Sequence, residues 1–177
     1  QLMRTKDFHS VTTAEIAELA GVTEGLIYKY FKSKKELLYQ VLNDLFAQFN
    51  PAVRDRMADK ASAIEKLEII IRSSIEYYTA NRVFARILLL EVRTSPDYFS
   101  SEAYVRVKAY ARTILEVIRM GIQKGEIKPD TDPLILRKVI LGTIEHACLG
   151  EIIFVRDLDV QAITHSISTI IFNGAKA

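Results

Sequence analysis

The sequence predicts an all-α protein, and three observations carry that prediction. Glycine and proline number only 7 and 4 in 177 residues, so turns are few and helix-favouring Leu, Ile, Ala, Glu, Lys and Arg dominate. Apolar residues recur with a period near 3.6 along most of the chain, and no strand candidate survives the same test. Thr12 and Ser33 each stand three residues ahead of a glutamate, the spacing of a helix capping box.

Composition narrows the functional classes. A hydrophobic content of 49% with 26% charged residues excludes a disordered chain. The net charge of +2 is too small to attract nucleic acid or a membrane in bulk, so either function must rest on local clusters. A single cysteine, Cys148, cannot close an intrachain disulfide, which suits a reducing, cytoplasmic compartment. The charge-free stretch from Val160 to Ala175 is shorter than the roughly 20 apolar residues of a membrane span, so no membrane partner is expected. No secretory leader opens the chain, which begins at Gln1, and further sequence is expected upstream.

The elements follow in order. After a helical stub, Thr12 caps a helix whose inner face is Ile16, Ala17, Leu19 and Ala20, and Gly21 ends it. Thr23 caps a second helix that runs to about Tyr30 or Phe31. Ser33 caps a third, with Leu37, Leu38, Val41, Leu42, Leu45 and Phe46 at helical spacing. Pro51 lacks an N–H and clashes with the preceding turn, so a kink or break is expected there. That break divides the chain into residues 1–50 and 51–177. Further helices are expected near 60–80, 81–93, 97–124, 132–155 and 158–173.

Thr13 to Tyr30 has the grammar of a helix-turn-helix. Ile16, Ala20, Val22 and Ile27 face inward, Ala17 lets the helices cross closely, and Gly21 supplies the left-handed turn. The outward face of the second helix then presents Glu24, Gly25, Leu26, Tyr28 and Lys29 to a DNA major groove. Tyr30 is placed for the phosphate backbone. Thr13, Thr23 and Lys34 lie at helix starts, where hydroxyls, backbone N–H groups and the helix dipole attract phosphate. Lys29, Lys32, Lys34 and Lys35 add four positive charges without an acid among them.

The run from Val11 to Leu38 resembles the DNA-binding domain of the tetracycline-repressor (TetR) family. The resemblance implies that Glu24, Gly25, Leu26, Tyr28 and Lys29 approach bases while Thr13, Thr23, Tyr30 and Lys34 lie near phosphates. It also implies a first helix before Lys6, of which only the tail is present. Leu26 replaces a small polar residue that some members carry. The remainder of the chain matches the length of that family's helical ligand-binding and dimerisation domain. Leu90 to Ser95 and Gly121 to Ile127 resemble the FadR-type branch, which senses long-chain acyl-CoA.

In that larger domain the last two helices are apolar over more than one face. An isologous four-helix interface uses such a surplus, and Ile140, Ile144, Ile152, Ile163, Ile167, Ile170 and Ile171 are its expected members. A homodimer of this kind implies a palindromic operator in double-stranded DNA. Aromatic and basic residues of the middle helices, with His146, are the candidates for a small-molecule effector: Tyr78, Phe84, Arg86, Arg93, Phe99, Tyr104 and Tyr110. Arginine beside apolar surface suits a hydrophobic anion such as an acyl-CoA. The alternative is that the larger domain is a dimerisation or protein-docking module without an effector.

An enzyme is the weaker alternative. Adjacent Glu145 and His146 point about 100° apart on a helix, Cys148 diverges further, and the three histidines lack metal-binding spacing. No catalytic residue, metal or cofactor is expected.

Overall fold

The structure, a computed structural model, describes residues 1–154 and 156–175, and every regular element among them is helical. In order these are α1 (Thr13–Ala20), α2 (Glu24–Tyr30), α3 (Lys34–Met57), α4 (Ala63–Ala80), α5 (Arg82–Arg86), α6 (Glu102–Gln123), α7 (Pro133–Phe154) and α8 (Val160–Ala175). A short 3₁₀ turn precedes α1, and a π-turn with two 3₁₀ turns links α5 to α6. Val155, expected at the end of the long apolar helix, lies outside the described residues.

The expected caps form. Thr12 accepts from the Glu15 N–H while the Glu15 carboxylate accepts from the Thr12 N–H, completing a capping box. Thr23 and Ser33 accept from the N–H groups of Leu26 and Glu36. Gly21 closes α1 with φ 68°, a left-handed conformation costly to residues with a Cβ. Downstream, Ser62 caps α4, Ser101 caps α6, and the carboxylates of Asp132 and Asp159 accept from the first turns of α7 and α8.

Two helix boundaries differ from those expected. Of the kink or break expected at Pro51, the break does not occur, since helix α3 continues through it to Met57. Its buried stripe of Leu38, Tyr39, Leu42, Phe46, Phe49, Val53 and Met57 spans both sides of the proline. Tertiary packing of that stripe outweighs the lost backbone bond. The single helix expected near 81–93 is a short α-helix, a π-turn at Ile87–Glu91 and a 3₁₀ turn at Val92–Thr94. The π-turn buries Ile87, Leu88 and Leu89 in succession.

Helices α3, α4 and α6 pack around an aromatic core. Phe49 lies 4.6 Å from Tyr77 and 5.2 Å from Tyr110 between ring centroids, and Phe84 lies 5.2 Å from Phe46. Gly121 allows α6 its close approach to α4, since a Cβ there would stand 2.9 Å from that of Ala63 and 2.7 Å from Ile127 Cδ1. Helix α3 serves both halves of the molecule, because its first turns belong to the small helical head and its last turns to this core.

Candidate functional site

Helix α2 is short and amphipathic. Ile27 is its one buried residue, and it fixes which side faces the solvent. Glu24, Gly25, Leu26, Tyr28, Lys29 and Tyr30 are all exposed, with Tyr28 at 51% and Tyr30 at 68%. The base-reading face proposed from the sequence is therefore unobstructed. A Cβ on Gly25 would meet nothing within 4 Å, so no contact inside the protein requires glycine at that position.

Behind this face the polar groups are tied together. Thr13 is buried, its hydroxyl donates to the Glu24 carboxylate, and the same oxygen lies 3.0 Å from the Tyr28 hydroxyl. One threonine on α1 thus orients two side chains of α2. This corrects the expectation that Thr13 donates to phosphate, since its proton is already committed. Thr23 stays exposed at the start of α2, accepting from the Leu26 N–H at 3.3 Å with its hydroxyl proton free to donate.

Lys34 is a second correction. Its ammonium donates to the carbonyls of Phe8, His9 and Val11 and lies 4.5 Å from the Phe8 ring centroid. Three acceptors occupy its three protons. It holds the segment before α1 against the start of α3, whereas Lys29, Lys32 and Lys35 are exposed. The inward placement of Ala20 and Val22 also fails. Both are exposed, as is Leu19, and Leu19 and Ala20 border a groove of about 430 Å³ that no described element covers.

Residues 82–98 supply several contacts between head and body. Arg86 donates to the Lys6 carbonyl at 2.8 Å, and Glu91 lies 3.9 Å from the His9 imidazole. The Tyr39 hydroxyl donates to Ser95 Oγ at 2.9 Å. Arg86, expected at an effector, is a strut between the two halves, because its guanidinium is drawn to that carbonyl. Ser95 and Tyr39 went unnoticed in the sequence, where a serine and tyrosine 56 positions apart give no sign of pairing.

The remaining effector candidates do not form one pocket. Tyr78, Phe84 and Tyr110 are buried in the aromatic core. Tyr110 spends its hydroxyl on Ser74 at 2.6 Å. Burial drives the phenols of Tyr78 and Tyr110 above the ordinary tyrosine range, so both remain neutral. Phe99 and Tyr104 pack edge to face at 5.1 Å beside Tyr98, with Phe99 47% exposed. Arg93 and His146 do meet. With Leu89, Leu90, Gly142, Glu145 and Leu149 they line a cleft of about 160 Å³. There Glu145 accepts from both Arg93 terminal nitrogens, at 2.9 and 2.6 Å.

The interface expectation needs the largest correction. Ile140, Ile144, Ile152, Ile167 and Ile171 are all below 9% exposed within the single chain. They belong to its own core, because α7 and α8 turn those stripes towards α4, α6 and each other. Ile163 is half-buried. Of the expected set only Ile170, 76% exposed, faces out. The apolar stripe that α7 leaves bare is instead Ile135, Val139 and Ile153, running past Gly142 and His146.

A bare recognition helix of about two turns on a helical body defines a helix-turn-helix transcriptional regulator, and no described helix is long and apolar enough to cross a membrane. Residues 1–41 match the bacterial regulatory proteins of the tetR family, and residues 42–174 match the C-terminal region of YsiA-like protein. The chain belongs to the tetR family. It is 27% identical over 174 residues to the fatty acid metabolism regulator protein of Bacillus subtilis, covering 98% of this chain and 90% of the relative. It is 25% identical over 141 residues to the HTH-type transcriptional repressor KstR2 of Mycobacterium tuberculosis, covering 78% of this chain and 70% of the relative. The solved transcriptional regulator FadR from Bacillus subtilis in complex with stearoyl-CoA superposes with a TM-score of 0.86 at 28% identity, over 94% of this chain and 90% of that one.

Proposed function

We propose that the protein is a cytoplasmic repressor that binds a palindromic operator as a homodimer and is released by a fatty acyl thioester of coenzyme A. Likeness to a regulator solved with stearoyl-CoA, over 94% of this chain, carries the choice of effector. Glu24, Gly25, Leu26, Tyr28 and Lys29 read base edges, while Thr23, Tyr30 and the neighbouring lysines hold phosphates. The dimer forms through Ile135, Val139 and Ile153 of α7 with Ile170 of α8, whose exposed apolar surface is otherwise costly in water.

Release works as a population shift. One spacing of the two α2 helices fits successive major grooves, and effector binding favours another. The aromatic core is closed in this conformation, so an acyl chain can enter only by parting helices that pack on α5 and the π-turn. These carry Arg86 and Glu91 and lead into Ser95, the same groups that hold the head. Motion there changes the angle of α2 directly.

The closed core also favours a second reading, a DNA-binding dimer without any effector. Titrating operator complexes with stearoyl-CoA separates the two. A coupling of about 1–3 kcal/mol lowers operator affinity roughly 5- to 150-fold. Unchanged affinity while the thioester demonstrably binds overturns the effector reading. If about 8 phosphates are neutralised per dimer, log K falls against log salt with a slope near −7, and a flat dependence overturns DNA binding itself.

A further inference from the structure

Between α4 and α8 lies a polar cleft of about 180 Å³, lined by Glu68, Arg72, Gln161, Thr164, His165 and Ser168. Thr164 and Ser168 are 3% and 6% exposed, and neither hydroxyl has a hydrogen-bond partner among the described residues. A buried serine or threonine on a helix commonly donates to the carbonyl four residues back. Ser74 and Thr113 do so here, to Ile70 and Ala109. Thr164 and Ser168 do not, although both stand on the same side of α8, one turn apart. Two orphaned hydroxyls in one cleft are uncommon, because each leaves a desolvated donor and acceptor unmet.

The other groups say what meets them. Arg72 and Glu68 are exposed on α4, and neither takes part in an ion pair among the described residues. The cleft is much larger than the roughly 30 Å³ of one water and smaller than the roughly 300–1,000 Å³ of a drug-sized ligand site. It suits a single small polar group. A guanidinium with two hydroxyl donors suits an oxyanion. Glu68 repels a fully ionised one but accepts a hydrogen bond from an anion that keeps a proton. The donor set therefore calls for bare and protonated oxygens on the same ligand.

We propose that the α4–α8 cleft binds a hydrogen phosphate group, with Arg72, Thr164 and Ser168 donating to its bare oxygens and Glu68 accepting from its P–OH. The group is either free phosphate or a phosphomonoester on a larger ligand. The site lies apart from the dimer surface argued above. At about 100° per residue, His165 and Ile170 point roughly 140° apart on α8, so the cleft stays open in a dimer formed through Ile170.

Calorimetry and thermal unfolding with inorganic phosphate, phenyl phosphate and sulfate at matched ionic strength and pH test this. Phosphate or its phenyl ester binds and raises Tm, and sulfate does neither; the tighter of the first two identifies free ion or ester. Arg72→Gln, at an exposed position that folding tolerates, weakens phosphate binding about tenfold or more. Glu68→Gln removes the discrimination against sulfate. Thr164→Val raises Tm without phosphate, because an orphaned hydroxyl is gone, and weakens binding. Equal responses to phosphate and sulfate in the unaltered protein overturn the proposal, as does phosphate binding unchanged in Arg72→Gln. No operator DNA or acyl thioester enters these measurements, so their failure leaves the repressor reading standing.

Discussion

Lys34 donates to the carbonyl of Val11 at 2.5 Å, and through its other protons to Phe8 at 2.7 Å and His9 at 3.2 Å. A lysine at a helix start in a DNA-binding head is readily taken for a phosphate ligand, yet this one is a structural brace. Lys34→Met strands three carbonyls, of which those of Phe8 and Val11 are partly shielded from water. The expected loss is about 1.5 kcal/mol, the lower end for hydrogen bonds to a charged group given the partial exposure. Urea unfolding measures it. The salt slope of operator binding stays as it was, whereas Lys29→Ala lowers its magnitude by about 1 per protomer. A slope that falls equally in both variants overturns the assignment.

Glu15 makes the head sensitive to acid. Its carboxyl titrates at about 2, against 4.5 for an ordinary glutamate, because the Lys6 ammonium hydrogen-bonds to it and the Thr12 N–H donates to it in the capping box. The folded value lies below the unfolded one, so the contribution to stability is complete above pH 4.5. It is lost as pH falls from 4.5 towards 2. Carbon-13 titration of the side-chain carboxyl places its midpoint near 2, and Lys6→Met moves that midpoint up towards 4.5. A midpoint near 4.5 in the unaltered protein contradicts the Lys6 contact.

What the sequence discloses and what it conceals divide by range. Thr12, Thr23, Ser33 and Gly21 act on backbone within one turn, so the helix-turn-helix could be read without a fold. The exposed face of α2 followed from Ile27 alone. By contrast, α7 carries Leu134, Ile135, Leu136, Val139, Ile140 and Leu141 in close succession. A helix apolar in most directions has no phase from which to tell core from interface. Ile140, Ile144 and Ile152 read as interface for that reason although the fold buries them, while Ile135, Val139 and Ile153 of the same run stay exposed. Lys34, Arg86 and Arg93 show the same limit for charge, since their partners at residues 6–11 and 145 are supplied by the fold. The π-turn at Ile87–Glu91 escaped because no glycine or proline marks it.

Gly25 separates the demands of folding from those of recognition. It sits on an exposed helical turn with open space around it. Gly25→Ala should therefore stabilise the protein by about 1 kcal/mol through helix propensity. If the α2 backbone lies against DNA, the added methyl group weakens operator binding while Tm rises. Thermal unfolding and an operator titration on the same preparation check both signs. Tighter binding together with a higher Tm shows that the glycine answers to no close contact.

Ile144 and Ile170 lie on neighbouring apolar helices with opposite fates, 1% and 76% exposed. Ile170→Glu puts a carboxylate where α8 already meets water, so the subunit still folds and keeps its helical circular dichroism. If the bare stripes of α7 and α8 pair two chains, the substituted protein sediments as a monomer. Its operator affinity then collapses, because one α2 helix holds only half of a palindrome. Ile144→Glu places the same charge inside the core without a partner. Its cost exceeds about 4 kcal/mol, enough to unfold a marginally stable domain. A dimer that survives Ile170→Glu at low concentration would move the interface elsewhere. A folded Ile144→Glu protein would show that α7 turns its other side to the core.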